Sequence, residues 1–359
     1  MTESLKPGSI IGIFGGGQLG RMLALAAARL GFLTHIYDPD EAPPAGQVAY
    51  KTTQASFSDI SAIKKFAQSV DVVTFEFENI PASAIDAAET ICPVHPGGAA
   101  LAASQDRVLE KDFLNGLGLK TAPYLAVDTE ADLEAALQQI GTPAILKTRR
   151  FGYDGKGQIR ITGAENLATL MASLEGAPAI LEGFVDFSAE ISVIGARAID
   201  GQVVCFDPGE NVHKAGILHT TTVPADLSFQ QRTDAVILAG HVLNALNYVG
   251  VLAVELFVTP AGLVVNEFAP RVHNSGHWTQ NGCATDQFEQ HIRAIAGWPL
   301  GDGQRLADVV MTNLIGDEIS QFSNHAADPE NCLHHYGKAA IRAGRKMGHI
   351  NKVSAKSSA

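Results

Sequence analysis

The stretch Asn266-Glu-Phe-Ala-Pro-Arg-Val-His-Asn-Ser-Gly276 packs a carboxylate, an arginine, a histidine, two asparagines and a serine into eleven residues. It follows Gly262-Leu-Val-Val265, an apolar run with the character of a buried strand. A second acid, Glu255, closes the comparable run Val249-Gly-Val-Leu-Ala-Val254. A Thr259-Pro-Ala-Gly262 turn would join the two runs as a hairpin and set Glu255 beside Glu267. Paired carboxylates on neighbouring strands suit Mg²⁺ held against nucleotide phosphates. An ion-paired acid followed by a polar loop is the plainer account of the stretch taken alone.

Other parts of the chain supply what a nucleotide site needs. Lys147 ends the apolar run Ala144-Ile-Leu-Lys147, where its amine can reach into a cleft. It precedes Arg149-Arg150 and Phe151-Gly-Tyr-Asp-Gly-Lys-Gly-Gln158, a Gly-rich flap able to close on phosphates. This is not a Walker motif, because G-x-x-x-x-G-K-[ST] does not occur. Ile180-Leu-Glu-Gly-Phe-Val185 has the form of a linker strand whose backbone can hydrogen-bond an adenine edge, and Glu190 lies where a ribose hydroxyl could be held.

These residues need elements to position them. Strands are expected at 9–14, 32–37 and 70–75, with a helix over 21–30 between the first two. Strand, helix and strand in alternation indicate a parallel sheet with helical crossovers. A helix over 106–117 connects to a second unit with a helix at 132–139 and strands at 144–147 and 179–182. A third unit carries strands at 190–195 and 201–207, a helix near 230–246 and the acid hairpin. An extended segment near 334–337 belongs to a small cap, and the tail beyond Val353 is expected to fray. The expected divisions are 1–104, 105–189, 190–300 and 301–359.

Gly15-Gly-Gly17-Gln-Leu-Gly20, between the first strand and its helix, matches the dinucleotide fingerprint, and Asp38 ends the next strand. Read alone it suggests an NAD-dependent oxidoreductase. The same geometry offers backbone N–H groups to any phosphate or polar ligand near Gly17.

Of the 359 residues, 46% are hydrophobic and 18% charged, which fits a soluble globular protein of two or three domains. The formal net charge of −12 argues against a nucleic-acid or anionic-membrane partner. Residues 1–7 hold no apolar signal core, and no apolar run is long enough to span a bilayer. Cys92, Cys205, Cys283 and Cys332 form no CxxC and are expected as reduced thiols of a cytoplasmic protein. From Lys338 onward there are six Lys/Arg and no acid. Lys338, Arg342 and Arg345 are interleaved with apolar residues, so this segment is expected to be ordered and to suit a phosphomonoester.

Lys147, the Gly-rich flap, Glu182-Gly-Phe-Val185, Glu255 and Glu267 together resemble the ATP-grasp fold, an α/β (α+β) architecture with a Rossmann-like N-terminal domain, two ATP-grasp subdomains and a C-terminal cap. Ser104-Gln-Asp-Arg107, Gly152-Tyr-Asp-Gly-Lys-Gly157, Asn266 to His277, Tyr336-Gly-Lys and Gly344-Arg-Lys-Met-Gly-His349 are similar to the N5-carboxyaminoimidazole ribonucleotide synthase family, over residues 10–349. The family is an ATP- and bicarbonate-dependent ligase of purine biosynthesis. The resemblance implies an ATP site made of Arg107, Lys147, Gly152, Tyr153, Asp154, Gly155, Lys156, Gly157, Gln158, Glu182, Gly183, Phe184, Val185, Glu190, His213, Asn266 and Glu267. It implies Mg²⁺ on Glu255 and Glu267. Gly17, Gln18, Leu19, Glu76, Arg271, His273, Asn274 and Ser275 would face aminoimidazole ribonucleotide, with Lys338 and Arg345 on its phosphate. Asp154, Arg271 and Lys338 would be catalytic, Asp154 contacting the amine or accepting its proton. A homodimer is implied in the same way. One departure stands out: many ATP-grasp enzymes carry Glu-x-Asn at the second metal strand, and here the position two after Glu267 is Ala269. A formate-dependent glycinamide ribonucleotide transformylase, an NAD-dependent oxidoreductase and a non-catalytic nucleotide sensor remain the alternatives.

Overall fold

The computed structural model describes residues 4–152 and 157–357. Tyr153, Asp154, Gly155 and Lys156 lie outside the described residues. The N-terminal sheet is four-stranded and parallel, in the order Lys51–Gln54, Leu33–Asp38, Ile10–Phe14, Val72–Phe75. Its central strand is apolar and buried on both faces, as parallel strands under helical crossovers must be. The crossover helix Gln18–Arg29 turns Met22, Leu23, Ala26 and Ala27 inward, an i, i+1, i+4, i+5 stripe.

A second, antiparallel sheet runs Tyr124–Val127, Ala179–Gly183, Ala144–Thr148, Gln158–Ile161. Helix Glu130–Ile140 packs beside it, started by a Thr129/Asp132 capping box. The third sheet holds nine strands. Its path runs Gly262–Ala269, Gly250–Thr259, Ala189–Arg197, Gly209–Lys214, Ile217–Val223, Ala307–Ile315, Lys346–Ala355, Asn331–His335, with Val203–Cys205 paired to Ala189–Arg197. The C-terminal strands are therefore continuous with the acid hairpin through one sheet.

Several of these strands are missing from the expected pattern, each for a physical reason. Lys51–Gln54 is a polar edge strand without alternation. Lys346–Ala355 buries Gly348, His349 and Asn351 alongside Met347 and Ile350, so its apolar alternation is broken by polar residues. This strand also corrects the expected frayed tail: pairing with Ala307–Ile315 continues to the Ala307–Ala355 register.

The N-terminal sheet is seated on the large sheet through helix Gln287–Ile295. Phe288, Ile292 and Ile295 share one apolar cluster with Met22, Leu23 and Val251. Asp286 caps that helix, accepting from the backbone N–H of Phe288 and Glu289, and pairs with Arg29 across the junction. His291 Nδ1 accepts from Val251 N at 3.1 Å, so its Nε2–H donates to Thr74 Oγ1 at 2.8 Å. Gly250, at φ +127°, makes room for this ring: a Cβ there would lie 2.9 Å from His291 Cε1.

Burial, reinforced by His95, holds the His291 pKa down at about 3 against an ordinary 6.5. Below pH 6.5 the unfolded chain therefore binds a proton that the native chain refuses, and stability falls as pH drops from about 6.5 towards 3. For this group the slope reaches about 1.4 kcal/mol per pH unit. His35 and His334, both lowered to about 4 by burial, act in the same direction. Urea unfolding at successive pH values is expected to show this slope, and H291Q to flatten it while lowering stability at pH 7.5.

Candidate active site

Glu255 and Glu267 are register partners on the antiparallel hairpin. A bulge makes this possible. Leu256 pairs with Val265, while Glu255 pairs with Glu267, leaving Asn266 as the extra residue. Val265 and Phe268 consequently both face the apolar core with Leu256 and Val254, and Asn266 and Glu267 both turn to the cleft. Simple alternation would have placed Glu267 on the core side with Val265.

Two half-buried carboxylates so placed must be compensated. Arg107 Nη1 donates to Glu267 Oε2 at 2.5 Å. Burial pushes the Glu267 pKa up, but Arg107, Lys147 and Lys111 together outweigh it and hold the carboxyl ionised. Glu255 has no such set, and burial with the Glu267 charge raises its pKa. Glu110, accepting from Phe268 N at 2.7 Å, is raised for the same two reasons. Lys111 and Lys147 share Glu182, at 3.4 and 2.9 Å. Arg107, Glu110, Lys111 and Leu114 form an i, i+3, i+4, i+7 stripe on helix Arg107–Gly116. That charged stripe, at a spacing normally apolar, is the sequence signal for Glu110 and Lys111, which belong to none of the motifs above.

Beyond this cluster, His213 Nδ1 lies 2.6 Å from Glu190 Oε2. Burial lowers the His213 pKa, yet Glu190 and Glu255 overcome that and raise it. Phe187 stacks on Phe257 with ring centres 4.6 Å apart, and Arg160 lies over the Phe184 ring at 4.6 Å.

The fingerprint loop is occupied by the protein itself. Gly16 N–H donates to Asp38 Oδ2 at 2.6 Å, and the N–H groups of Gly17 and Gly20 donate to the two carboxylate oxygens of Glu76. The amides that would hold a dinucleotide pyrophosphate therefore already bind carboxylates. The helix start instead offers Gln18 and Leu19 to the cleft. Glu78, two residues on, forms a two-bond pair with the guanidinium of Arg271.

The opposite wall is the loop after the hairpin. His273 Nε2 lies 3.2 Å from Glu255 Oε1. Burial, then Arg271 and Lys346, lower the His273 pKa to about 3, so the ring is neutral and this contact is not an ion pair. Asn274 and Asn313 exchange two side-chain hydrogen bonds, of 3.0 and 2.6 Å. Lys338 Nζ donates to Lys346 O, and Arg345 Nη1 to Ala340 O.

One cleft of about 790 Å³ runs between these walls. Every expected site residue among the described ones lines it except Ser275. Ser275 is 1% exposed and lies behind the wall, bonded to Ser192 and His273. Glu78, Asn79, Asn211, Phe187, Phe257 and Lys346 join the lining without having been anticipated.

Among the described residues no group of three or more His, Cys, Asp or Glu could hold a metal. The donor set fits Mg²⁺ nonetheless, since that ion is commonly bound by one or two carboxylates with the remaining sites filled by phosphate and water. A divalent cation on Glu255 and Glu267 would also relieve the repulsion that raises Glu255.

A large antiparallel sheet bearing an acid hairpin, faced across a cleft by a small sheet bearing Lys147, defines an ATP-grasp enzyme. Residues 112–288 match the ATP-grasp domain, residues 9–105 the ribonucleotide synthetase preATP-grasp domain, and residues 309–359 the phosphoribosylaminoimidazole carboxylase C-terminal domain. The chain is 53% identical over 353 residues to the N5-carboxyaminoimidazole ribonucleotide synthase of Brucella melitensis, covering 98% of each chain. The ADP complex of an N5-carboxyaminoimidazole ribonucleotide synthetase superposes with a TM-score of 0.95 at 40% identity, covering 99% of this chain and 94% of that one. The Aspergillus clavatus N5-carboxyaminoimidazole synthase with ADP and 5-aminoimidazole ribonucleotide gives 0.91 at 30% identity, covering 97% and 94%. This chain belongs to the N5-carboxyaminoimidazole ribonucleotide synthase family.

Lys111 is 1% exposed and also donates to Asn266 O at 3.2 Å. Replacing it with methionine leaves Glu182 buried with Lys147 alone, and removing one partner of a buried pair costs about 3 kcal/mol. Lys111→Met is expected to lower the urea midpoint accordingly, with circular dichroism as the readout.

Proposed function

We propose that this chain carboxylates the exocyclic amine of aminoimidazole ribonucleotide at the expense of ATP and bicarbonate, giving N5-carboxyaminoimidazole ribonucleotide, ADP and phosphate. The observation that carries this proposal is that one cleft is lined both by Glu255, Glu267, Arg107 and Lys147 and by Arg271, His273, Asn274, Lys338 and Arg345. Family membership supplies the substrates.

Bicarbonate is a poor electrophile, being anionic and resonance-stabilised. Its oxygen attacks the γ-phosphorus, ADP leaves, and the resulting carboxyphosphate carries a leaving group. The amine then bonds to the carboxyl carbon, phosphate departs and the nitrogen gives up a proton. Mg²⁺ on Glu255 and Glu267 would neutralise phosphate charge during the transfer. Arg107 and Lys147 add fixed positive charge beside those phosphates. Arg271, locked by Glu78, presents a planar donor set in a fixed orientation to the cleft. Lys338 and Arg345 hold the ribonucleotide phosphate. Exclusion of water from the labile intermediate falls, in this reading, to the Gly-rich segment 152–157, of which Tyr153, Asp154, Gly155 and Lys156 lie outside the described residues. The homodimer and cytoplasmic location expected of the family belong to the same proposal; no described helix is long and apolar enough to cross a membrane.

The direct test is ADP release from Mg-ATP with bicarbonate, with and without aminoimidazole ribonucleotide. Strong stimulation, with the amine carboxylated, is the expected result; a folded, ATP-binding protein showing no stimulation would overturn the substrate assignment. Glu267→Gln is expected to abolish ATP turnover, because the cation loses a charged ligand, and near-normal turnover would remove Glu267 from the metal site. Lys338→Met is expected to raise the KM for the ribonucleotide while leaving that for ATP little changed. Equal effects on both would detach Lys338 from that phosphate.

A further inference from the structure

A chain of hydrogen bonds starts in the large sheet and ends at His273, whose ring touches the acid hairpin. Thr221 Oγ1 donates to Asn211 Oδ1 at 2.8 Å, and Asn211 Nδ2 donates to Ser192 Oγ at 3.1 Å. Ser192 Oγ donates to Ser275 Oγ at 2.7 Å, and Ser275 Oγ lies 2.8 Å from His273 Nδ1. His273 Nε2 lies 3.2 Å from Glu255 Oε1. Thr221, Asn211, Ser192 and Ser275 are all buried, the least so 7% exposed. Bonds so far from water have no competing solvent partner, and leaving one unmade costs about 1–3 kcal/mol.

The polarity of the chain is settled at both ends. An amide NH₂ can only donate, so Ser192 accepts from Asn211 and passes its own proton to Ser275. Ser275 in turn has its hydroxyl proton for His273 Nδ1. The backbone N–H of Ser275 approaches the same nitrogen at 3.4 Å and can only donate. Nδ1 is thus an acceptor, the ring proton sits on Nε2, and Nε2 is the ring nitrogen in contact with Glu255. With Nδ1 acting as acceptor for two groups of residue 275, the ring has one orientation.

We propose that Ser275 and Ser192 are positioning residues that act through His273 to hold Glu255 in the orientation in which it binds a divalent cation. The inference rests on the metal role of Glu255 and Glu267 proposed above. Glu267 is oriented directly by Arg107, whereas Glu255 has no arginine or lysine partner of its own among the described ion pairs and rests against the His273 ring, whose Nε2 lies 3.2 Å away. Partners that orient a metal-binding carboxylate typically contribute 10- to 100-fold in metal affinity.

The test is Mn²⁺ binding to the full-length protein with saturating ADP, followed by electron paramagnetic resonance. Ser275→Ala and Ser192→Ala are expected to weaken Mn²⁺ by about 10- to 100-fold with ADP affinity in the absence of metal unchanged. In a His273→Gln background, whose amide can still donate to Glu255, Ser275→Ala is expected to add no further loss. In ¹⁵N-histidine spectra the wild type should show His273 unprotonated at Nδ1 and protonated at Nε2, with that signature lost in Ser275→Ala. Wild-type Mn²⁺ affinity in both serine variants would overturn the proposal, as would an additive loss in the His273→Gln background, which would mark Ser275 as a packing residue. Failure of the wild type itself to bind Mn²⁺ with ADP would instead overturn the metal role of the hairpin, and this proposal with it.

Discussion

Two half-buried carboxylates set opposite one another on a hairpin are the constraint around which the cleft is organised. At an effective dielectric near 20, unit charges about 5 Å apart repel by ~3 kcal/mol, and desolvation adds to that. The fold meets this with an asymmetric arrangement. Glu267 is kept charged by Arg107 and by the nearby ammonium groups of Lys147 and Lys111, while Glu255 is left against neutral His273 and its pKa rises. Glu110, beside the same charges, is pushed towards its protonated form. A nucleotide with its cation would therefore exchange partners within an already balanced set, not bring charge into an uncompensated pocket.

Much of this was legible in the amino-acid sequence because charge at core spacing is conspicuous. Glu255 and Glu267 each terminate an apolar run, and a short Pro/Gly turn makes their adjacency a matter of counting. Lys147 and the Gly-rich segment stand out in the same way. What the pattern could not reveal was the bulge at Asn266, because one extra residue leaves composition unchanged and alters only which face each side chain meets. Nor does alternation identify a strand whose inner face is polar. Gly209–Lys214 buries Asn211, Ala307–Ile315 buries Asn313, and Lys346–Ala355 buries His349 and Asn351. Each is hidden for the reason it matters, since it contributes polar groups to the ground beneath the site.

The N-terminal loop separates fold from function. Strand, glycine turn, helix and acid follow the dinucleotide pattern, and the local geometry is the expected one. Yet the helix N-terminus is neutralised internally by Glu76, and Asp38, placed where it could meet a ribose, takes the Gly16 amide instead. The anion preference of a helix start is a property of the backbone, but whether a ligand benefits depends on which side chains reach it first. Here the electrostatics of the motif are spent on joining two strands of the same sheet to one loop, and Gln18 and Leu19 are what remain for the cleft.

The two walls of the cleft are built by different physics. Around the acid hairpin, ion pairs join separate units: Arg107 of the connecting helix to Glu267 of the nine-stranded sheet, and Lys111 of the same helix to Glu182 of the four-stranded one. Such pairs are long-range and tolerant of displacement. The opposite wall rests on neutral hydrogen bonds of fixed direction: the reciprocal Asn274–Asn313 pair, and Tyr336 with its hydroxyl 2.9 Å from His349 Nδ1. These fail at small displacements, so they hold a loop in one arrangement. That network is carried by polar residues inside the large sheet, to which the C-terminal strands are fused, and it is not fully satisfied: His349 Nε2 and Asn351 Oδ1 are buried without a partner, so the loop is held in place at some cost in stability.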